Sequence, residues 1–166
     1  NEVHKKLSHN LKTRNVKKIY VALVKGIIRE STGKINLPIG RHPTDRKKMS
    51  VNLEKGKDAI TYFKVLERFS NATYVELMIK TGRTHQIRVH MSHIGHPLIG
   101  DEVYGRRTSE YKDIIKGQAL HAKLLGFVHP ATGEYMESEA KIPDDFSTLL
   151  KALRETRDTA SHRDGT

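Results

Sequence analysis

Apolar and polar positions follow two different periods along this chain, and the switches between them mark its elements. Val3, Leu7 and Leu11 recur every four residues, the stripe of an amphipathic helix, with Lys5, Lys6, Lys12 and Arg14 on its other faces. Lys18 to Gly26 is rich in β-branched and aromatic residues and predicts a strand ended by glycine. Apolar side chains fall on both of its faces, so it belongs inside a sheet. Gly33, Pro38, Gly40 and Pro43 predict short strands around a basic loop from Arg41 to Lys48. Ala59 to Phe69 and Thr73 to Lys80 predict an antiparallel hairpin turning at Asn71. Val75, Leu77 and Ile79 share one face of its second strand; Tyr74, Glu76, Met78 and Lys80 share the other.

The period then becomes helical. Thr84 is the expected N-cap, and Ile87, Met91 and Ile94 form the buried stripe of a helix that Gly95-His96-Pro97 stops. A loop follows to Arg107, then a polar excursion or short helix over 108–117. Leu120 to Val128 and Glu134 to Lys141 predict two strands joined by a turn at His129–Gly133. Pro143-Asp144-Asp145 opens a last helix, its carboxylates complementing the helix dipole. Residues 156–166 are polar and unpatterned, and read as a disordered tail to a single domain over 1–155. Hairpins without regular βαβ alternation give an α+β fold: a mainly antiparallel mixed sheet flanked by helices.

Charge narrows the partners. The 166 residues include 30 Lys and Arg against 19 Asp and Glu, a formal charge of +11. Residues 1–50 hold 13 basic and 3 acidic side chains, so nearly all of the excess is N-terminal. Such a block favours a polyanion, most simply nucleic acid; the bland alternative is a solvated basic surface. No apolar run approaches the roughly 20 residues of a membrane span. The absence of cysteine excludes disulfides and thiolate metal sites and fits a cytoplasmic protein.

Candidate chemistry concentrates in Thr81-Gly82-Arg83-Thr84-His85-Gln86-Ile87-Arg88-Val89-His90-Met91, where a strand gives way to a helix. Gln86, His90 and His93 share one helix face; His85, Arg88 and Ser92 share another. Arg88, between Ile87 and Val89, should be largely covered and therefore needs a carboxylate or phosphate partner. Arg83, beside Gly82, should be freer to meet phosphate. A wet surface helix is the plain alternative. A metal reading would use His85, His90, His93 and His96, but no Cys or HExxH pattern accompanies them. Tyr20 is either a core tyrosine or a ring presented to a flipped-out base, with Lys17 and Lys18 nearby for phosphate.

Together, VKKIYVALVKG (16–26), LPIGRHPTDRKKMSV (37–51), GKDAITYFKVLERF (56–69), KTGRTHQIRVHMSHIGHPLIGDEVYG (80–105), ALHAKLLGFVHPATGE (119–134) and IPDDF (142–146) resemble the RluA/RluD-type pseudouridine synthases. The resemblance implies a pseudouridine-synthase-like fold and isomerisation of uridine to pseudouridine in RNA, ribosomal more than transfer, without metal or organic cofactor. It implies that Arg88 pairs with the catalytic aspartate. It also implies that Tyr20 stacks on the target base and helps remove the C5 proton. Lys17, Lys18, Arg41, Lys47, Lys48, Arg83, His85 and Gln86 become RNA-binding candidates. The family's aspartate lies in an HRLDxxTSGLL-type motif, which these residues do not contain; Asp101 matches a different family position and reads as structural. The expectation is therefore a monomeric C-terminal part of a catalytic domain. It would be inactive alone, its Arg88 partner lying in an upstream portion that could stay associated. The alternative is a non-catalytic RNA-binding module.

Overall fold

The computed structural model describes residues 15–106 and 110–164; the helix expected over Val3–Leu11 lies outside them. Among the described residues eight strands and two helices follow one another: β1 (Asn15–Lys25), β2 (Thr32–Asn36), β3 (Ile39–Arg41), β4 (Met49–Val51), β5 (Ile60–Arg68), β6 (Ala72–Ile79), α1 (Gln86–His93), β7 (Leu120–Val128), β8 (Tyr135–Glu139) and α2 (Asp144–Asp164). Six strands form one sheet in the order β2-β5-β6-β1-β7-β8, while β3 and β4 pair as a separate ribbon.

The expected mainly antiparallel sheet is present, without its mixed part. Every strand pairing among the described residues is antiparallel. The reason is where the helical crossover leads. Parallel neighbours need a long connection, usually through a helix. Here α1 joins β6 to β7, but β1 lies between those two strands and pairs antiparallel with both.

The interior position expected for β1 follows from its sequence. Val21, Ala22, Leu23 and Val24 are all fully buried. Alternation sends Ala22 and Val24 to one face, where they meet Val75, Leu77, Phe63 and the α1 residues Ile87 and Met91. Val21 and Leu23 face the other way, onto Phe146, Leu149 and Leu153 of α2. The result is three layers, helix on sheet on helix. β1 ends at Gly26, whose φ of 79° is a left-handed turn that glycine adopts without steric cost.

One open alternative is resolved and one expectation changes. Of the excursion or short helix expected over 108–117, the described part, from Glu110 onward, forms turns, the excursion. In contrast, α2 runs on through residues read as disordered. Tertiary contacts extend it: Glu67 on β5 accepts from Arg154 Nη2 at 2.8 Å and Arg157 Nη1 at 2.7 Å. The Arg157 guanidinium also lies 5.4 Å from the centre of the Phe69 ring. A window of sequence cannot register a carboxylate 87 residues away in the chain.

Candidate functional site

The strand–helix junction is held from inside. Gln86 is 3% exposed, and both ends of its amide are occupied. Its Oε1 accepts from the Thr81 hydroxyl at 2.7 Å and the Arg83 N–H at 3.2 Å. Its Nε2 donates to the Ile60 carbonyl and to Thr61 Oγ1, both at 3.0 Å. The Thr61 hydroxyl lies 2.8 Å from His90 Nδ1, and His90 Nε2 lies 2.8 Å from the Leu37 carbonyl. Since a carbonyl can only accept, Nε2 carries the proton and Nδ1 accepts from Thr61. Burial pushes the His90 imidazole below its ordinary pKa, against the hydrogen bond to Leu37, and so keeps the ring neutral.

This network corrects two expectations. Gln86 is not available to RNA, because a buried amide with four partners has no donor or acceptor to spare. Thr84 is not the N-cap. That position is His85, at φ 55° and ψ 25°, with no side-chain cap bond. A left-handed residue that is not glycine needs an outside anchor. His85 has one, its Nδ1 lying 2.7 Å from the Tyr104 hydroxyl.

Arg88 lies in the first turn of α1 with its guanidinium head mostly covered, as its apolar neighbours imply. Its carboxylate partner lies within the chain, contrary to expectation. Arg88 Nε and Nη2 donate to the two oxygens of Asp101 at 2.9 and 3.0 Å, a bidentate pair. Burial alone would raise the Asp101 pKa. Hydrogen bonds from Arg88 and from the Tyr104 and Val103 backbone outweigh it and hold the carboxyl below its ordinary value. The same pairing raises Arg88. The guanidinium also stacks on Tyr104, 5.0 Å from the ring centre. Among the described residues, Arg88 Nη1 has no hydrogen-bond partner. Sequence reasoning read Asp101 only as structural; its pairing with Arg88, and Tyr104, are what it missed. The available signal was Gly100-Asp101 followed by Tyr104, in which an aspartate caps its own turn.

Tyr20 lies on the α1 face of the sheet, packed against the cluster that includes Ile87 and Met91. With Lys18, Ala122, Leu125 and Ser138 it lines a cavity of about 400 Å³. That volume is in the range of small-molecule sites, roughly 300–1,000 Å³. Burial raises the Tyr20 phenol above its ordinary pKa, so it stays neutral. Lys18 reaches from this cavity to the junction: a Cβ on Gly82 would sit 3.3 Å from its Nζ. Lys17, the next residue on the strand, points to the opposite face beside Gly126. The structure thus keeps Lys18 with Tyr20 and separates Lys17 from it.

The basic loop is built to present charge. His42 Nδ1 accepts the Asp45 N–H at 3.0 Å, and Asp45 Oδ1 accepts the Lys47 N–H at 3.0 Å. Arg41 and Lys47 stand exposed and Lys48 half-buried around that turn. The ribbon docks on α1 through Ile39 and Val89. Arg83 stands at its base, donating from Nε to the Asp58 carbonyl at 2.8 Å, next to the Ile39–Lys57 bridge. The four histidines weighed as metal ligands are not brought together. His90 is spent on Thr61 and Leu37, His85 on Tyr104 and His96 on the Lys25 carbonyl. Among the described residues no three His, Asp or Glu side chains form a metal-sized group.

The comparisons agree with this architecture. The family described as RNA pseudouridylate synthase matches residues 1–93. A Bacillus subtilis protein named uncharacterized RNA pseudouridine synthase YlyB is 50% identical over 152 residues, covering 91% of this chain and 48% of that protein. The ribosomal large subunit pseudouridine synthase D of Pseudomonas aeruginosa is 46% identical over 168 residues, covering 95% of this chain and 52% of that protein. The chain therefore spans about half the length of these relatives. The solved structure of human RNA pseudouridylate synthase domain containing 1 superposes with a TM-score of 0.67 at 31% identity, covering 91% of this chain and 69% of that one. With the α+β fold, the junction motif and the family match in agreement, the chain belongs to the RNA pseudouridylate synthase family.

Proposed function

We propose that these residues form the arginine-and-tyrosine half of an RNA pseudouridine synthase active site, one that isomerises uridine to pseudouridine in ribosomal RNA. The observation that carries this reading is Arg88. Its guanidinium is held in one plane by Asp101 and Tyr104, with Nη1 left for an incoming anion. The nucleophile would be an aspartate from an HRLD-type motif, which residues 1–166 do not contain. A fixed cation beside that carboxylate would keep it ionised where water is scarce. Tyr20 would offer its ring face to the extruded base, in a cavity whose volume suits a small ligand. Removing the C5 proton through its phenol would require ionisation against its burial; stacking would not. Arg41, Lys47, Lys48 and Arg83 would hold phosphates, supplying affinity without reading sequence.

The test is tritium release from uracil C5 in ribosomal and in transfer RNA. The enzyme arms are the full-length protein, its Arg88→Ala variant and residues 1–166 alone. We expect release from full-length protein on ribosomal RNA, loss on Arg88→Ala and none from residues 1–166. Undiminished release by Arg88→Ala would remove the role given to Arg88. Turnover by residues 1–166 alone would remove the claim that the nucleophile is supplied from upstream. A second reading, a binding module without catalysis, draws on Asp101 already neutralising Arg88; it predicts RNA binding with no release even at full length.

A further inference from the structure

Asp101 and Tyr104 belong to one turn, and both touch Arg88. Asp101 is 2% exposed, although an isolated buried carboxylate is costly. It accepts four hydrogen bonds: from Arg88 Nε and Nη2, and from the backbone N–H groups of Val103 and Tyr104. Ser92 of α1 donates to the Tyr104 carbonyl, tying the turn back to the helix. The Tyr104 ring lies against the Arg88 guanidinium, and its hydroxyl accepts the Met49 N–H of the basic ribbon at 3.0 Å. The same hydroxyl lies 2.7 Å from His85 Nδ1. Burial, then the positive charge of Arg88, push His85 below its ordinary pKa; the neutral ring can accept the Tyr104 proton.

Resting on the proposed function, we propose that Asp101 and Tyr104 are the positioning residues of the site, with separable tasks. Asp101 sets the plane of the guanidinium by occupying its Nε–Nη2 edge, so that the remaining edge, with Nη1, is left to meet the reacting carboxylate. Tyr104 backs that plane with its ring and fixes the ribbon to it with its hydroxyl. Phosphates held by Arg41, Lys47 and Lys48 are thereby kept in register with the reacting base. Without Asp101 the guanidinium could rotate about its long side chain and present any edge. Misplacement of a catalytic contact by about 1 Å is enough to cost on the order of 100-fold in rate.

The experiment uses the full-length protein and measures tritium release, RNA affinity and urea unfolding for Asp101→Asn, Tyr104→Phe, Arg88→Ala and the Arg88→Ala/Asp101→Asn pair. Asp101→Asn keeps the side-chain shape but loses the charge. It should lower kcat per folded molecule by about 10- to 100-fold, with KM for RNA within about twofold of wild type. In the Arg88→Ala background it should lower kcat no further, since a positioning residue has nothing left to position. Tyr104→Phe keeps the ring and loses the hydroxyl, so KM should rise by a larger factor than kcat falls. A merely structural Asp101 would lower the urea midpoint while kcat of the folded fraction stayed at the wild-type value, and that overturns the proposal. So does an Asp101→Asn effect that multiplies with that of Arg88→Ala, or a Tyr104→Phe loss confined to kcat. A wild-type protein that releases no tritium defeats the proposed function and this inference with it, an outcome distinct from the others.

Discussion

At the scale of the residue, the site depends on groups that never meet a ligand. Gln86→Leu would take one hydrogen bond each from the Ile60 carbonyl and the Thr81 and Thr61 hydroxyls, and would strip the Arg83 N–H of its acceptor. It should cost about 2–3 kcal/mol, at roughly 1–3 kcal/mol for an unsatisfied buried group, read by urea unfolding. An unmoved midpoint with lost RNA affinity would return Gln86 to the interface. His90 gives the pH dependence. Its pKa is depressed on folding, so the unfolded chain binds the proton more readily. The stability it contributes is complete above the ordinary imidazole value of about 6.5 and drains as pH falls below it. The urea midpoint should therefore hold steady from pH 8 to about 7 and decline below 6.5, and His90→Gln should flatten most of that decline. His85 is shifted in the same direction but is only half-buried, so its share is smaller. A wild-type midpoint indifferent to pH between 5 and 8 would contradict the neutral, buried assignment of His90.

At the scale of the element, two additions to the sheet are held by specific contacts. The ribbon β3–β4 owes its place to Val89 and to the Tyr104 hydroxyl, and carries charge at its tip. Each phosphate contact removed from it should reduce the slope of log affinity against log salt by about 0.7–0.9. Lys47→Ala should do so equally for RNAs of different sequence, measured by filter binding over a salt series. A change for one sequence only would mean base reading by Lys47. The end of α2 is held by Glu67. Glu67→Ala should speed amide hydrogen exchange over residues 154–160 and leave exchange around Leu149 slow, because Leu149 is fully buried against the sheet. Equal acceleration along the whole helix would mean that α2 docks as one unit, with no clamp of its own.

At the scale of the molecule, the layers divide the labour. α2 seals one face of the sheet with apolar contact, while α1, Tyr20 and the ribbon assemble chemistry on the other. If the remaining active-site carboxylate lies upstream, it need not be on the same chain. Upstream residues carrying the HRLD motif, co-purified with these as a second polypeptide, should restore tritium release. An intact two-chain complex that binds RNA and stays silent would contradict the division proposed for the site.

The fold was largely legible because its signals are local. The all-apolar run in β1, the alternation in β6 and the turn residues between strands each specify an element within about ten residues of chain. The order of the motifs was enough to indicate the family. The polarity of the junction was legible too: Arg88 was read as a covered cation in need of a carboxylate. Its partner was not, because Asp101 is brought to it by the path of the chain after α1, and no period in the sequence records that return. The fates of Gln86 and Lys17 were hidden for the same reason. Residue type predicts that an amide or a lysine can meet RNA, but only packing decides whether it faces solvent or the core. Sequence by itself thus determined which elements form and what chemistry the junction needs. Tertiary structure decided which side chains supply it, since burial and pairing are properties of neighbours in space.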